Sequence, residues 1–163
     1  MTSRDGKEAI SNASSRPLKK GKRKGETADS VFFSYSAEDT LALGKRIALD
    51  FRGDEVVLLS GELGAGKTVF AKGIAAGLGL ASVHEVCSPT FTIMNIYRAR
   101  VPIYHFDLYR LAKESEIMDL GFEDYVGQGV VVVEWAEKIG FPMNALHVRI
   151  VVEDGGRRRI EIR

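Results

Sequence analysis

EVVLLSGELGAGKT, residues 55–68, joins a run of apolar residues to a glycine-rich loop. The first part, EVVLLS (55–60), is nearly continuously apolar, which is typical of a central parallel strand covered on both faces. The second part, GELGAGKT (61–68), matches the pattern G-x-x-x-x-G-K-[S/T]. A helix is predicted from about Lys67, because apolar residues follow it at helical spacing. A strand, a glycine loop and a helix in this order form the arrangement that cradles phosphate groups.

Each residue type in this loop has a physical reason. Glycines at 61, 64 and 66 let the backbone curl so that successive N–H groups point at phosphate oxygens. The Lys67 ammonium can reach the β- and γ-phosphates of a nucleotide, and the Thr68 hydroxyl can ligate Mg²⁺. The less specific alternative is a glycine turn with a purely structural role. The predicted phosphate-binding residues are Gly61, Glu62, Leu63, Gly64, Ala65, Gly66, Lys67 and Thr68.

GVVVVEW (129–135) predicts a second buried strand that ends in an acid. A phosphate-binding loop needs an acid to organise its metal, usually at the end of a neighbouring buried strand. Glu134 is therefore the candidate, acting on Mg²⁺ directly or through a water. The alternative is a surface glutamate at the end of a strand. The next residue, Trp135, either caps the core or faces the nucleotide.

SPTFTIMNIYR (88–98) and VPIYHFDLYRL (101–111) alternate between apolar and polar residues, and they predict a hairpin. The alternation in the second run predicts a half-buried strand with Tyr104, Phe106 and Leu108 inside. His105, Asp107 and Tyr109 then share the polar face.

If this hairpin lies beside the glycine loop, Asp107 presents a carboxylate to the attacking water. Otherwise the face is an ordinary solvated one. SPTFT (88–92) is either a switch loop that senses the γ-phosphate or a turn. The roles of His105, Tyr109 and Arg110 stay open.

The remaining segments complete an α/β pattern. Ser36, followed by Asp39, predicts the start of a helix that runs to about Asp50. The other predicted elements are a strand at VFFSY (31–35), short helices within 113–126, and a terminal hairpin formed by ALHVRIVVE (145–153) and RRRIEIR (157–163). The fold class predicted is therefore α/β, with a P-loop NTPase-like mixed sheet flanked by helices and carrying β-hairpins.

Composition narrows the class of protein. The 163 residues suit one domain, and the 45% hydrophobic content is ordinary for a globular protein. No apolar run approaches the roughly 20 residues that span a bilayer, and no apolar segment predicts a secretory signal. The single cysteine, Cys87, excludes an internal disulfide and a multi-thiolate metal site, and it is typical of a reducing cytoplasm.

The net charge of +1 is unevenly distributed, because residues 1–30 carry a local net charge of +4. KKGKRKG (19–25) lies in a stretch that is poor in large apolar residues, so residues 1–29 are predicted to be a basic disordered tail. Residues 30–163 are predicted to form the P-loop ATPase domain. The alternative for the tail is contact with RNA phosphates, without sequence preference.

ATP is the nucleotide predicted, because the chain has no N-K-x-D-like motif for reading guanine. Asp124-Tyr125-Val126-Gly127 fits D-x-x-G in letters but does not follow a buried strand. Two alternatives to an ATPase stay open. One is a small-molecule kinase, although no arginine-bearing lid is evident, and the other is an ATP-gated binding module in which hydrolysis is incidental.

Taken in order, GELGAGKT, SPTFT, HFDLYRL, LGFEDY and VEW closely resemble the motifs of the TsaE family, formerly called YjeE. The resemblance runs from about Val31 to the C-terminus, and T-x-x-L-G at residues 40–44 also fits. It implies a P-loop ATPase that uses ATP and Mg²⁺ in the biosynthesis of threonylcarbamoyladenosine, the modified adenosine beside the tRNA anticodon. It also implies a cytoplasmic complex with the TsaB and TsaD proteins, an indirect contact with tRNA, and no association with a membrane.

The resemblance also assigns roles to particular residues. The lysine and threonine that end the loop match the phosphate and metal residues of the family. Asp107 matches the acid needed for hydrolysis, so Asp107 and Lys67 are the two residues expected to be catalytic. Glu134 matches the metal-linked acid, while Glu137 and Arg157 fall where further nucleotide contacts are expected.

Overall fold

The computed structural model describes residues 29–163, and they form a seven-stranded mixed sheet with helices on both faces. The segment predicted to be a basic tail (1–29) lies outside the described residues, apart from Asp29. The strands are β1 (Ser30–Ser34), β2 (Val56–Ser60), β3 (Met94–Arg98), β4 (Pro102–Asp107), β5 (Val130–Glu134), β6 (Leu146–Val152) and β7 (Arg158–Ile162). The helices are α1 (Ala37–Ala48), α2 (Lys67–Gly77) and α3 (Glu114–Asp119), with 3₁₀ turns at Val83–Glu85, Phe122–Tyr125, Ala136–Lys138 and Asp154–Gly156.

The strand order is β1-β7-β6-β2-β5-β4-β3. Strand β2 pairs in parallel with β5 and β6, and β5 pairs in parallel with β4. The hairpins β3–β4 and β6–β7 are antiparallel, as is the pairing of β1 with β7. The predicted fold class, a mixed sheet flanked by helices with hairpins at its sides, is thus confirmed. Because β2, β5 and β4 are parallel neighbours, their carboxyl ends meet at one edge.

Two apolar clusters lie on opposite faces of this sheet. One packs α1 and α2 against the sheet and includes Phe70, Ile74 and Ile160. The other lies beneath α3 and its neighbouring turns and includes Phe106 and Phe122. Every residue of β5 is buried, as expected for a central strand covered on both faces.

Glycines allow α1 and α2 to pack closely. A Cβ atom on Gly44 would lie 2.5 Å from the carbonyl oxygen of Phe70, and one on Gly73 would lie 2.3 Å from that of Leu41. The helix start predicted at Ser36 is also confirmed, since its side chain accepts a hydrogen bond of 3.0 Å from the backbone N–H of Asp39. The close contact with α1 fixes α2 along its axis, and so fixes the position of its N-terminus.

The prediction that β4 is half buried was wrong. His105 is 1% exposed and Asp107 is 2% exposed, so the polar face is covered, and the alternative of an ordinary solvated face is excluded for these two residues. The reason is that residues of α2 lie over His105, while the hydroxyls of Ser88 and Thr90 lie against Asp107. The regular strands are also shorter than the alternating runs, because β3 begins only at Met94 and β4 ends at Asp107. SPTFT (88–92) is consequently an irregular loop.

Candidate functional site

The glycine-rich loop lies between β2 and α2, at the edge where the parallel strands end. Gly61 has a φ of 144°, and a Cβ atom there would lie 2.4 Å from the carbonyl oxygen of Ile150. Gly66 has a φ of 110° and immediately precedes α2. In α/β sheets, a crevice outside the carboxyl ends of the strands is the usual place for a ligand. The first residues of α2, Lys67, Thr68 and Val69, line this crevice, and the first N–H groups of a helix have no partner within the helix itself.

Lys67 is the first residue of α2, and its side chain bends back over the loop. Its Nζ donates hydrogen bonds to the carbonyl oxygens of Gly61 (2.6 Å) and Glu62 (2.8 Å). The same atom lies 3.8 Å from the centre of the Trp135 ring. The ammonium is therefore held by carbonyl oxygens and an aromatic face, at the floor of the crevice.

Burial lowers the pKa of Lys67 below its ordinary value, because desolvation disfavours the charged ammonium. The negative charges of Glu134, Glu137 and Asp107 act in the opposite direction and raise the pKa, but they do not offset the burial. A further anion at the loop would favour the charged ammonium and raise its pKa.

Thr68 connects the loop to the end of β5. Its Oγ1 donates to both carboxylate oxygens of Glu134, at 2.9 Å and 3.1 Å. Glu134 is 2% exposed, and its Oε1 also lies 2.9 Å from Nε2 of His105 on β4. A single buried carboxylate thus contacts side chains from α2 and β4.

Asp107 lies directly opposite Glu134 in the β4–β5 register. Its Oδ2 accepts a hydrogen bond of 3.0 Å from Thr90, and it also accepts one from Ser88. Its Oδ1 accepts one of 2.8 Å from the backbone N–H of Tyr109. The SPTFT loop is therefore tied to Asp107 through two hydroxyl groups.

These groups line one open cleft with a volume of about 410 Å³, a size in the usual range for small-molecule sites. It is lined by Leu63, Gly64, Gly66, Lys67, Thr68, Val69, Ser88, Thr90, Asp107, Tyr109, Glu134 and Trp135. The structure thus brings together the loop, both predicted acids and the hydroxyls of the SPTFT loop.

Trp135 lines the cleft and also packs against the apolar cluster beneath α3, so the two alternatives left open by the sequence do not exclude each other. The residue has a φ of 59°, in the left-handed region, so the chain turns sharply after Glu134. Its ring lies 4.9 Å from that of Tyr109. Lys138, which the sequence did not single out, holds this side of the cleft by donating to the carbonyl oxygens of Tyr109 and, at 2.8 Å, Leu111.

Five of the predicted contact residues are not among those that line the cleft: Gly61, Glu62 and Ala65 of the loop, and, more distant in the chain, Glu137 and Arg157. Glu137 is exposed on the 3₁₀ turn after β5. Its negative charge acts on the site electrostatically and raises the pKa of Lys67. Arg157 pairs with Glu153 at 2.6 Å, and its guanidinium lies over the Phe33 ring.

The neighbouring residue, Arg158, contacts the loop instead. Its Nε donates to the carbonyl oxygen of Ala65 at 2.9 Å. Alternation along β7 is the signal that could have found it, because Arg158 shares a face with the buried Ile160 and Ile162.

The residues present fit Mg²⁺ bound together with a phosphorylated ligand. Mg²⁺ prefers hard oxygen ligands and keeps several waters, so it is usually held by one or two carboxylates plus phosphates. The hydroxyl of Thr68 and the carboxylates of Glu134 and Asp107 supply such oxygens. Within residues 29–163, no group of three or more His, Cys, Asp or Glu side chains could hold a metal ion by itself.

The fold and the glycine loop between β2 and α2 define an α/β protein with a P-loop NTPase-like sheet. Comparison with known proteins narrows this class. The family model described as "Threonylcarbamoyl adenosine biosynthesis protein TsaE" matches residues 34–160. The chain therefore belongs to the TsaE family, whose role is in tRNA threonylcarbamoyladenosine biosynthesis.

Individual relatives agree with this assignment. The chain is 45% identical to the tRNA threonylcarbamoyladenosine biosynthesis protein TsaE of Bacillus subtilis, over 79% of this chain and 80% of that protein. It is 41% identical to the protein of the same name from Treponema pallidum, over 76% of this chain and 93% of that protein. The crystal structure of Bacillus subtilis YdiB is similar, with a TM-score of 0.67 and 32% identity over 85% of this chain and 87% of that one.

No helix among residues 29–163 is long and apolar enough to cross a membrane.

Proposed function

We propose that this chain is a Mg²⁺-dependent ATPase that acts as a nucleotide-driven switch in the threonylcarbamoyl modification of tRNA. The observation that carries the proposal is the hydrogen bond between Thr68 and Glu134. It joins the last residue of the phosphate-binding loop to the acid at the end of the neighbouring strand, which is the pairing that a P-loop needs to organise its metal.

ATP would bind with its phosphates against the loop and the N-terminus of α2. The backbone N–H groups and the helix dipole favour the negative charge there. Lys67 would exchange its two carbonyl partners for oxygens of the β- and γ-phosphates. Because its charged form is disfavoured by burial in the free protein, phosphate would supply the compensating charge.

The hydroxyl of Thr68 and the carboxylate of Glu134 would hold the metal. The Thr68 proton is donated to Glu134, which leaves the oxygen lone pairs of the hydroxyl free to face the cleft. When bound, Mg²⁺ would neutralise charge on the phosphate oxygens.

Asp107 would orient the attacking water and accept its proton, since its carboxylate lies in the same cleft beside Glu134. In the free protein this carboxylate is engaged by Ser88 and Thr90. Nucleotide binding would rearrange those two hydroxyls, and this coupling gives the SPTFT loop its role as the switch.

The partners in this proposal are the TsaB and TsaD proteins in the cytoplasm, with tRNA contacted only through their complex. Relatives in Bacillus subtilis and Treponema pallidum carry names that place them in the same biosynthesis, which supports a partner from that pathway.

Phosphate release tests the proposal. The full chain is incubated with Mg²⁺ and ATP, alone and with purified TsaB and TsaD, and inorganic phosphate is followed over time. The proposal predicts release that depends on Mg²⁺ and rises with the partners. Phosphate found on a small acceptor instead would establish the kinase alternative. ATP-dependent docking without phosphate release would establish a binding module.

A further inference from the structure

Within residues 29–163, His105 is a buried polar side chain with one hydrogen-bond partner, Glu134. It is 1% exposed, and its Nε2 lies 2.9 Å from Oε1 of Glu134. Its other ring nitrogen, Nδ1, is buried and has no hydrogen-bond partner in the part of the chain that the structure describes. The surrounding side chains, which are chiefly apolar, are Ala71, Ala75, Val86, Tyr97, Ile103 and Val132.

The chemistry of the pair fixes the direction of this hydrogen bond. A carboxylate only accepts, so Nε2 carries a proton and donates it to Glu134. The unpartnered Nδ1 has a desolvation cost that an apolar side chain of similar shape would avoid. The fold therefore gains nothing from a polar atom at Nδ1, and the bond to Glu134 is what an imidazole contributes here.

We propose that His105 is a positioning residue that fixes the Glu134 carboxylate, and through it directs the lone pairs of the Thr68 hydroxyl at Mg²⁺. This inference rests on the proposed function. Among residues 29–163, the side chains that donate to this carboxylate are Thr68, from the cleft, and His105, from the interior. Because the Thr68 hydroxyl also has to serve the metal, His105 is the donor that holds the carboxylate independently of the metal.

The geometry explains why a bond to the interior matters. If Thr68 alone held the Glu134 carboxylate, the carboxylate and the hydroxyl could rotate together. The lone pairs of the Thr68 oxygen would then no longer point at the metal. The bond from His105 enters from β4, whose register with β5 is fixed by the sheet. Outer hydrogen bonds of this kind orient metal-binding groups, and their loss commonly weakens metal binding by about 10–100-fold.

Two matched variants of the full chain test the inference. A glutamine amide nitrogen reaches about as far from the backbone as Nε2 of histidine, whereas that of asparagine reaches only as far as Nδ1. H105Q therefore keeps a donor for Glu134, and H105N removes it. The measurement is the dissociation constant of a non-hydrolysable ATP analogue with Mg²⁺ and with EDTA, followed by the fluorescence of Trp135, the single tryptophan in the chain.

The gain in affinity that Mg²⁺ gives should fall by about 10-fold or more in H105N, while affinity in EDTA stays unchanged and H105Q resembles the wild type. An unchanged gain in H105N would overturn the inference. Equal losses with and without Mg²⁺ would also overturn it, because they would indicate a structural role only. If H105N does not fold, H105L gives the same comparison, since leucine needs no partner in the apolar surroundings.

E134Q separates this inference from the proposed function. If E134Q keeps the full Mg²⁺ effect, Glu134 is not the metal-linked acid, and both the inference and that part of the proposed function fail. If E134Q loses the effect and H105N keeps it, only the positioning role of His105 is wrong.

Discussion

Replacement of Asp107 by asparagine is expected to slow ATP hydrolysis strongly while sparing nucleotide binding. The substitution keeps the shape of the side chain, and its remaining oxygen can still accept the 2.8 Å hydrogen bond from the backbone N–H of Tyr109. The new amide group faces the hydroxyls of Ser88 and Thr90, which can rotate to accept from it. The fold and the loop should therefore persist, with a loss of unfolding free energy of about 1–3 kcal/mol for hydrogen bonds to a charged group.

The loss in turnover should be larger than this loss in stability. A group that accepts a proton from the attacking water typically contributes about 10²–10⁴-fold, which corresponds to roughly 3–5 kcal/mol of barrier. Partner-stimulated phosphate release should fall by that factor in D107N, while the dissociation constant of ATP stays close to that of the wild type. T92V is the matched control, because Thr92 lies in the same loop but bonds Asn95 rather than Asp107. Near-normal turnover in D107N would refute the role given to Asp107.

Three further outcomes are expected. Burial lowers the pKa of Lys67 below its ordinary value of 10.5, so ATP affinity should decline as pH rises through the lowered pKa. The K67R variant stays charged and should not show this decline, which a pH series of fluorescence titrations checks. R158A should weaken ATP binding by about 5-fold, which corresponds to one lost hydrogen bond of about 1 kcal/mol, whereas R157A should leave ATP binding unchanged. A larger effect of R157A than of R158A would show that Arg157 contacts the nucleotide. G73A should lower the free energy of unfolding by about 1–3 kcal/mol, because the new Cβ would lie 2.3 Å from a carbonyl oxygen of α1. K72A, on the same helix, should change it by less than about 0.5 kcal/mol, and urea unfolding of both variants measures the difference.

Local patterns were sufficient to predict the parts of the fold that local physics decides. The apolar run before GELGAGKT predicted β2, and the helical spacing after it predicted α2 from Lys67. The hydroxyl of Ser36 predicted where α1 begins. Glu134 was predicted at the end of a buried strand, and the structure places it there.

Features that depend on long-range pairing could not be predicted. Alternation in β4 predicted a polar face for His105 and Asp107, but only the tertiary structure decides whether such a face meets water or another layer. The pairing of Asp107 with Glu134 across β4 and β5 joins residues far apart in the chain. The partner of His105 follows from the same register, and so it was not evident from the sequence.

Arg157 and Arg158, at the start of β7, point to opposite faces of the sheet, because adjacent residues of an extended chain point to opposite sides. Arg157 pairs with Glu153, and Arg158 contacts the loop. The role expected for Arg157 at the nucleotide stays a prediction, and the contact of Arg158 was not evident from the sequence.

A crystal structure of the full chain with Mg²⁺ and a non-hydrolysable ATP analogue would show whether the loop and Glu134 hold the nucleotide and its metal. We expect the phosphates against the loop of residues 61–68 and the ion at about 2.0–2.1 Å from the Thr68 hydroxyl oxygen. We also expect Thr68 still to donate to Glu134, as it does in the free protein. Phosphates bound elsewhere, or an ion that neither Thr68 nor Glu134 contacts directly or through a water, would contradict the proposed function.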